Sequence, residues 1–187
     1  MLIAISGSQG SGKTTVLNEL AQHGYNIIQR KSARSILNDW ELTLDEVNDD
    51  HELTLKFQDE IIKRKHNDEL VGIESDEIWF TERTYADLFV YALIDLGRKN
   101  AYSNWVNEYY NKCLEYSQYY TRVYYLRAGL FQIEHDGVRG SNHHYSKMVD
   151  LTMLNLTQQI IHPSKFAIID TPDLNQRVSI IEAHNRL

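Results

Sequence analysis

The chain has 187 residues, a formal net charge of −7, 42% hydrophobic and 24% charged residues, and one cysteine. That length supports one substantial core rather than two domains of usual size, so a single domain over residues 1–187 is expected; the acidic balance argues against a broad nucleic-acid-binding surface. The lone Cys113 rules out an internal disulfide, no apolar run reaches membrane-span length, and the N-terminus enters a strand with no room for a signal peptide, so a cytoplasmic location is expected.

Met1 to Ile5 is a short apolar run with the character of a buried parallel strand. It leads into Gly7-Ser8-Gln9-Gly10-Ser11-Gly12-Lys13-Thr14-Thr15, which matches the phosphate-loop pattern G-x-x-x-x-G-K-[ST] without a mismatch. Lys13 to Gln22 then places Val16, Leu17, Leu20 and Ala21 on one helical face. Glycines let the backbone curl so that several N–H groups face a phosphate, and the following helix dipole adds to that field. Lys13, expected to be exposed, would reach the β and γ phosphates, and the Thr14 hydroxyl would be a Mg²⁺ ligand. The loop as a whole, Gly7 to Thr15, is therefore expected to bind a nucleoside triphosphate.

Gly24 reads as a helix stop and Tyr25 to Ile28 as a second strand. A basic turn with Arg30, Lys31 and Arg34 follows, and Ser32 is placed to cap a helix carrying Ile36, Leu37 and Trp40. Asp45 to Leu70 has strong helical propensity, with Gly72 and an acidic turn closing it. Ile78 to Phe80 reads as the third strand, running straight into Thr81-Glu82-Arg83-Thr84. Tyr85, Leu88, Phe89, Ala92 and Leu96 then stripe a helix that stops at Gly97. A tyrosine-rich helix from Ser103 to Tyr119 and a strand from Val123 to Leu126 come next. Its aromatic residues are expected to be chiefly packing, with one or two free to stack on a base. Gln132 to Ser146 lacks periodicity and reads as a mobile loop, before a helix from about Lys147 to Ile161. Phe166 to Ile169 is the fifth strand; Thr171-Pro172-Asp173 reads as a cap, with proline at the first helical position of the last helix. Five short apolar strands alternating with helices predict an α/β fold, a parallel sheet with helices on both faces.

In such a sheet, ligands gather outside the carboxyl ends of the strands. Glu82 leaves the third strand where a carboxylate can hold Mg²⁺, directly or through water, and Arg83 beside it can bridge donor and acceptor phosphates. Arg139, in the loop at about 132–146, would close as a lid on the transferring phosphoryl group. Arg127, at the end of the fourth strand, is a second cation for the donor. His135, His143 and His144 lack the cysteines or spaced carboxylates of a metal centre.

The phosphate loop, Glu82-Arg83 and the segment Asp136-Gly137-Val138-Arg139 together resemble the P-loop kinases of nucleosides and nucleotides. The likeness is to ribosylnicotinamide-kinase-like ATP-binding domains, which share features with thymidylate kinase; Glu82-Arg83-Thr84 is similar to the Glu-Arg-Ser motif of deoxyribonucleoside kinases. The resemblance implies a three-layer fold with a 2-3-1-4-5 sheet and a lid loop, ATP with Mg²⁺, and phosphoryl transfer to a small acceptor. Those kinases commonly carry a carboxylate just after the second strand, where this chain has Gln29-Arg30-Lys31. An alcohol acceptor must lose a proton to a base, whereas a phosphate acceptor needs cations instead. Arg30, Lys31 and Arg34 therefore point to a phosphate-bearing acceptor, a nucleoside monophosphate or a nucleotide within DNA. Asp39, Glu41 or Glu46 would supply a base if the acceptor is an alcohol. A homodimer is compatible with the sequence. A GTPase-type switch would need D-x-x-G after the third strand and N-K-x-D, and neither is present; a nucleotide-dependent binding module is the remaining alternative.

Overall fold

In the computed structural model, residues 1–29, 33–97, 100–129 and 143–185 are described. Leu2–Ser6 (β1) is buried at every position, with Leu2 and Ala4 turned to one side and Ile3 and Ile5 to the other. A strand buried on both faces needs helices on both, and the chain supplies them. Lys13–Gln22 (α1) and Leu174–Asn185 (α8) cover one face, where Ile3 and Ile5 meet Val16, Leu17, Leu20, Val178 and Ile181. The other face packs Leu2 and Ala4 against Ile36 of Ala33–Trp40 (α2), Val47 of Leu44–Asp49 (α3) and Phe57 of His51–Ile73 (α4). Tyr85–Leu96 (α5) and Ser103–Ser117 (α6) complete that cluster, and α5 also packs against His143–Ile160 (α7).

The remaining strands are Asn26–Ile27 (β2), Trp79–Glu82 (β3), Tyr120–Leu126 (β4) and Phe166–Ile169 (β5). All pairings are parallel and the order is β2-β3-β1-β4-β5. The chain steps from β1 to one side for β2 and β3 and to the other for β4 and β5. The reversal point lies beside β1, and every strand's carboxyl end opens on the same edge as the phosphate loop.

Several boundaries differ from the sequence expectation, each for a visible reason. The long helix expected from Asp45 to Leu70 is two helices. Thr43 and Glu46 form a reciprocal capping box at the start of α3, and Asp50 accepts hydrogen bonds from the Glu52 and Leu53 amides to start α4 afresh. Gly72 does not end α4. It lies within it, where a Cβ would come within 2.9 Å of Trp79 Cβ, so its role is close approach of helix to strand. β2 is only two residues long, β4 begins three residues earlier than expected, and α7 begins at His143. Helix α8 starts at Leu174 rather than at Pro172, with Asp173 Oδ1 accepting from the Gln176 amide. Tyr109 and Tyr120 are buried in the core and Cys113 is fully buried, where desolvation pushes its thiol well above the usual range. Among the described residues, no helix is long and apolar enough to cross a membrane.

Candidate functional site

The phosphate loop is shaped by backbone that ordinary residues resist. Gly7, Gly10 and Gly12 have φ of 137°, 77° and 86°. A Cβ on Gly7 would lie 2.4 Å from the Leu126 carbonyl oxygen, so the loop can nest against β4 only with glycine there. Gly12 stands at the N-cap of α1 without a side-chain cap, leaving the first-turn amides directed toward an incoming anion.

The loop is braced from three directions. Ser8 Oγ donates to Asp150 Oδ1 of α7 at 2.9 Å, and the Tyr125 hydroxyl of β4 donates to the same oxygen at 2.8 Å. From α8, Arg177 donates through Nη1 to the Ser11 carbonyl and through Nε to the Thr171 carbonyl, each at 2.6 Å. Arg177 is fully buried, and that burial lowers its pKa. It thus ties the phosphate loop to the loop after β5. Arg177→Met should lower unfolding free energy by about 1–3 kcal/mol, because one buried and one partly buried carbonyl lose a charged donor, and it should weaken ATP binding in parallel. Denaturant unfolding and ATP titration check this; unchanged values in both would contradict the brace.

Lys13 corrects the expectation of an exposed side chain. It is only 4% exposed, and its ammonium curls back over the loop to the Ser8 carbonyl at 2.8 Å and Ser11 Oγ at 3.4 Å. Loop oxygens hold the cation at the centre of the cradle that the glycines form.

Opposite the loop, β3 runs further than its apolar residues do. Glu82 pairs with Ile5 in register and is the last residue of the strand. Its Oε2 accepts a hydrogen bond from Thr14 Oγ1 at 3.3 Å, on the exposed side of the cleft. Neighbouring ligand oxygens on an octahedral Mg²⁺ lie about 3 Å apart, so this hard-oxygen pair fits such an ion with little adjustment. Arg83 follows with φ of 68°, a left-handed conformation that costs a non-glycine residue about 1–2 kcal/mol. The turn sends its guanidinium over the Tyr91 ring at 5.2 Å and toward the Tyr91 hydroxyl at 3.4 Å. Burial opposes the charge on Arg83, but Tyr91, Asp87 and Glu82 outweigh it and raise the pKa. Asp87 is buried and accepts from the Ser6 and Thr84 hydroxyls at 2.6 and 2.7 Å, joining the end of β1 to the start of α5. A small cleft bounded by Ser8, Gln9, Tyr91, Tyr145, Ser146 and Val149 opens beside the loop.

The fold therefore brings Lys13, Thr14, Glu82 and Arg83 to one edge. Arg127 immediately follows Leu126, the residue against which Gly7 is packed, and is partly buried. Arg34 is exposed on α2. Arg30, Lys31, Arg139 and His135 lie outside the described residues, as does most of the expected lid at 132–146. Ser6, Lys65, Glu69, Asp87, Tyr125, Asp150 and Arg177 also shape the site, and sequence reasoning misses them. The contacts that bring them to the site are remote in the chain, by 81 residues for Ser6–Asp87, 142 for Ser8–Asp150 and 166 for Ser11–Arg177; the local pairs Lys65–Glu69 and Thr84–Asp87 read from sequence only as an i,i+4 ion pair and a helix cap.

The parallel 2-3-1-4-5 sheet with helices on both faces matches the P-loop kinase fold. The chain belongs to the AAA domain family, whose model matches residues 2–177. Among solved structures it is similar to deoxyadenosine kinase from M. mycoides with bound dATP (TM-score 0.73, 18% identity, 98% of each chain covered). The same enzyme with products dCMP and a flexible dCDP is also similar (TM-score 0.72, 16% identity, again 98% of each chain). NadR protein in complex with NAD and AMP-PNP is a third (TM-score 0.70, 14% identity), covering 100% of this chain but 51% of NadR. No curated protein sequence matches the chain.

Proposed function

We propose that this protein is an ATP-dependent phosphotransferase acting on a nucleotide or nucleoside, foremost a nucleoside monophosphate. The observation that carries the reading is the meeting of the Thr14 hydroxyl and the Glu82 carboxylate across a phosphate loop whose centre is held by Lys13. That arrangement offers backbone amides and a cation to the donor phosphates and two hard oxygens to their metal. Mg²⁺, when bound there, would neutralise charge on the β and γ phosphate oxygens. In the reaction an acceptor oxygen bonds to the γ phosphorus, the bond from that phosphorus to the β–γ bridging oxygen breaks, and ADP leaves. Lys13 would follow the negative charge moving to the bridging oxygen, while Arg83, released from Tyr91, would contact the transferring group. Arg127 and Arg139 would add charge from the donor side and the lid. The similarity to a kinase with bound dATP and to NadR in complex with AMP-PNP supports a nucleotide donor.

A phosphate acceptor carries no proton that must be removed, and the basic residues Arg30, Lys31 and Arg34 suit it. Of the three carboxylates that could serve an alcohol acceptor from this region, Asp39 and Glu46 are engaged elsewhere, while Glu41 is exposed in the turn after α2. Asp39 is paired with Arg64, and hydrogen bonds from Thr43, the backbone amide first, hold Glu46 below the usual carboxylate range. A second reading, a nucleoside acceptor, is favoured by the likeness to a deoxyadenosine kinase. Transfer to a nucleotide within DNA is a third.

ATP consumption measured with matched nucleosides, monophosphates and oligonucleotides separates these readings. The wild type is expected to turn over a monophosphate. Arg30→Ala with Arg34→Ala should lower its kcat/KM by about tenfold to a hundredfold for each charged hydrogen bond to the acceptor phosphate that is removed, while ATP binding stays nearly constant. Equal falls on both acceptor types, or a preference for the nucleoside, would replace the monophosphate reading with the second. Consumption with oligonucleotides alone, steeply salt-dependent, would favour DNA. No consumption with any acceptor would overturn the phosphotransferase assignment.

A further inference from the structure

Lys65 and Glu69 stand one turn apart on α4, and each is only 1% exposed. Glu69 holds the ammonium at 2.5 Å, and the Tyr120 hydroxyl donates to both Glu69 oxygens at 3.3 Å. Three further acceptors face the ammonium from one short stretch, Thr81 Oγ1 at 3.3 Å, the Glu82 carbonyl at 3.2 Å and the Arg83 carbonyl at 2.9 Å, so its three N–H groups are shared among four oxygens. The Tyr85 ring lies beneath it, 5.3 Å from its centroid.

That stretch is the turn whose Arg83 adopts a left-handed backbone, φ 68°. On one side the Arg83 amide donates to the Ile5 carbonyl at 2.8 Å, extending the β3–β1 ladder. On the other, the Glu82 and Arg83 carbonyls converge on Lys65. The turn is therefore held between strand β1 and a buried cation, and its conformation determines the approach of Glu82 to Thr14 and of Arg83 to Tyr91. Packing alone does not call for a buried ion pair, because apolar residues of similar volume often stabilise a core as well or better. What an apolar pair cannot do is give two adjacent carbonyls a common donor.

We propose that Lys65, fixed by Glu69, is a positioning residue for phosphoryl transfer, setting the Glu82–Arg83 turn in its left-handed, site-forming conformation. The inference rests on the phosphotransferase reading for its catalytic consequence, but not for its structural one. Lys65 touches no reacting atom and acts through the two residues it holds.

The test is the double variant Lys65→Met with Glu69→Gln, which removes the pair together and leaves no buried charge alone. Three measurements are compared with wild type: unfolding midpoint, steady-state kinetics, and Mn²⁺ affinity of the ATP-bound protein. The expected result is a thermal midpoint lowered by about 2–10 degrees, since two carbonyls lose a charged donor, with the variant still folded at the assay temperature, and a kcat lowered by about a hundredfold, the scale of a small misplacement of reacting groups. The KM for ATP should move less than about threefold, since the phosphate loop is untouched. Mn²⁺ should bind the ATP complex about tenfold more weakly, because Glu82 no longer meets Thr14. A crystal structure should show Arg83 out of the left-handed region. A kcat near wild type, or a kcat falling only as far as the folded fraction falls, would overturn the proposal, and so would an unchanged turn. Should the double variant not fold, Lys65→Arg keeps the charge pair with Glu69 but moves the donors off the two carbonyls. The same fall in kcat at near-constant KM is then expected, and wild-type kinetics would refute the role. If the wild type itself transfers no phosphoryl group, the functional reading fails, while the turn geometry and Mn²⁺ affinity still decide the role of Lys65.

Discussion

Replacing Lys13 by alanine is expected to reduce phosphoryl transfer by at least about a hundredfold to a thousandfold, the loss seen when one preorganised donor to a developing charge is removed. The ammonium is aimed at the centre of the loop by the Ser8 carbonyl and Ser11 Oγ, so donor phosphates would replace those partners rather than recruit a mobile side chain. Preorganisation of that kind is what makes a cation effective when charge shifts onto the bridging oxygen. An exposed lysine would have left stability unchanged on substitution. The buried one found here should cost about 1–3 kcal/mol when removed, since the Ser8 carbonyl loses a charged donor inside the loop. Steady-state turnover and denaturant unfolding of the purified variant measure the two effects separately. Wild-type turnover would remove the basis of the proposed function, and unchanged stability would show that the Lys13–Ser8 hydrogen bond contributes nothing to the fold.

Glu82→Gln carries the second large effect. The amide keeps the shape of the side chain and can still bond Thr14, so the fold should be unaffected; what is removed is the charge a divalent cation needs. Activity is expected to fall by about a hundredfold or more at low Mg²⁺ and to recover partly as Mg²⁺ is raised, while ATP binding measured in chelator changes by less than about twofold. Titrating Mg²⁺ at fixed ATP and acceptor checks this. A Mg²⁺ dependence identical to wild type would make Glu82 a strand-end carboxylate and move the metal elsewhere in the cleft.

The two predictions differ in how far their residues can be read without a structure. Gly7 to Thr15 is legible because its chemistry is local: strand, turn and helix start all lie within one stretch, and Gly7, Gly10 and Gly12 each supply a positive φ that the turn itself needs, although Gly7 also answers the Leu126 carbonyl of β4. The fifth strand, Phe166 to Ile169, is legible for a related reason, being a short apolar run bounded by polar residues. The third strand is harder, because its apolar residues mark only Ile78 to Phe80 while the strand itself runs from Trp79 to Glu82. Thr81 and Glu82 are polar, and what makes them strand is pairing with Ala4 and Ile5, almost eighty residues away. Asp50 is missed for a different reason: its cap on the Glu52 and Leu53 amides is local, but the apolar periodicity runs on past it and reads as one helix.

By itself, then, the sequence determined that this is an α/β chain with a phosphate loop after its first strand, and that Glu82-Arg83 would stand at a strand's carboxyl end. Those properties reside in hydrophobic period, glycine placement and short-range order, all carried by neighbouring residues. Only the tertiary structure decided that Lys13 is folded into the loop, that Thr14 meets Glu82, and that Arg83 is bent back over Tyr91. It also decided that Lys65, Asp150 and Arg177 hold the site in shape from α4, α7 and α8. The physical reason is common to Lys65 and Arg177. Their partners include backbone carbonyls, which every residue possesses, so nothing in the amino-acid code marks which ones a distant cation will find until the chain has folded.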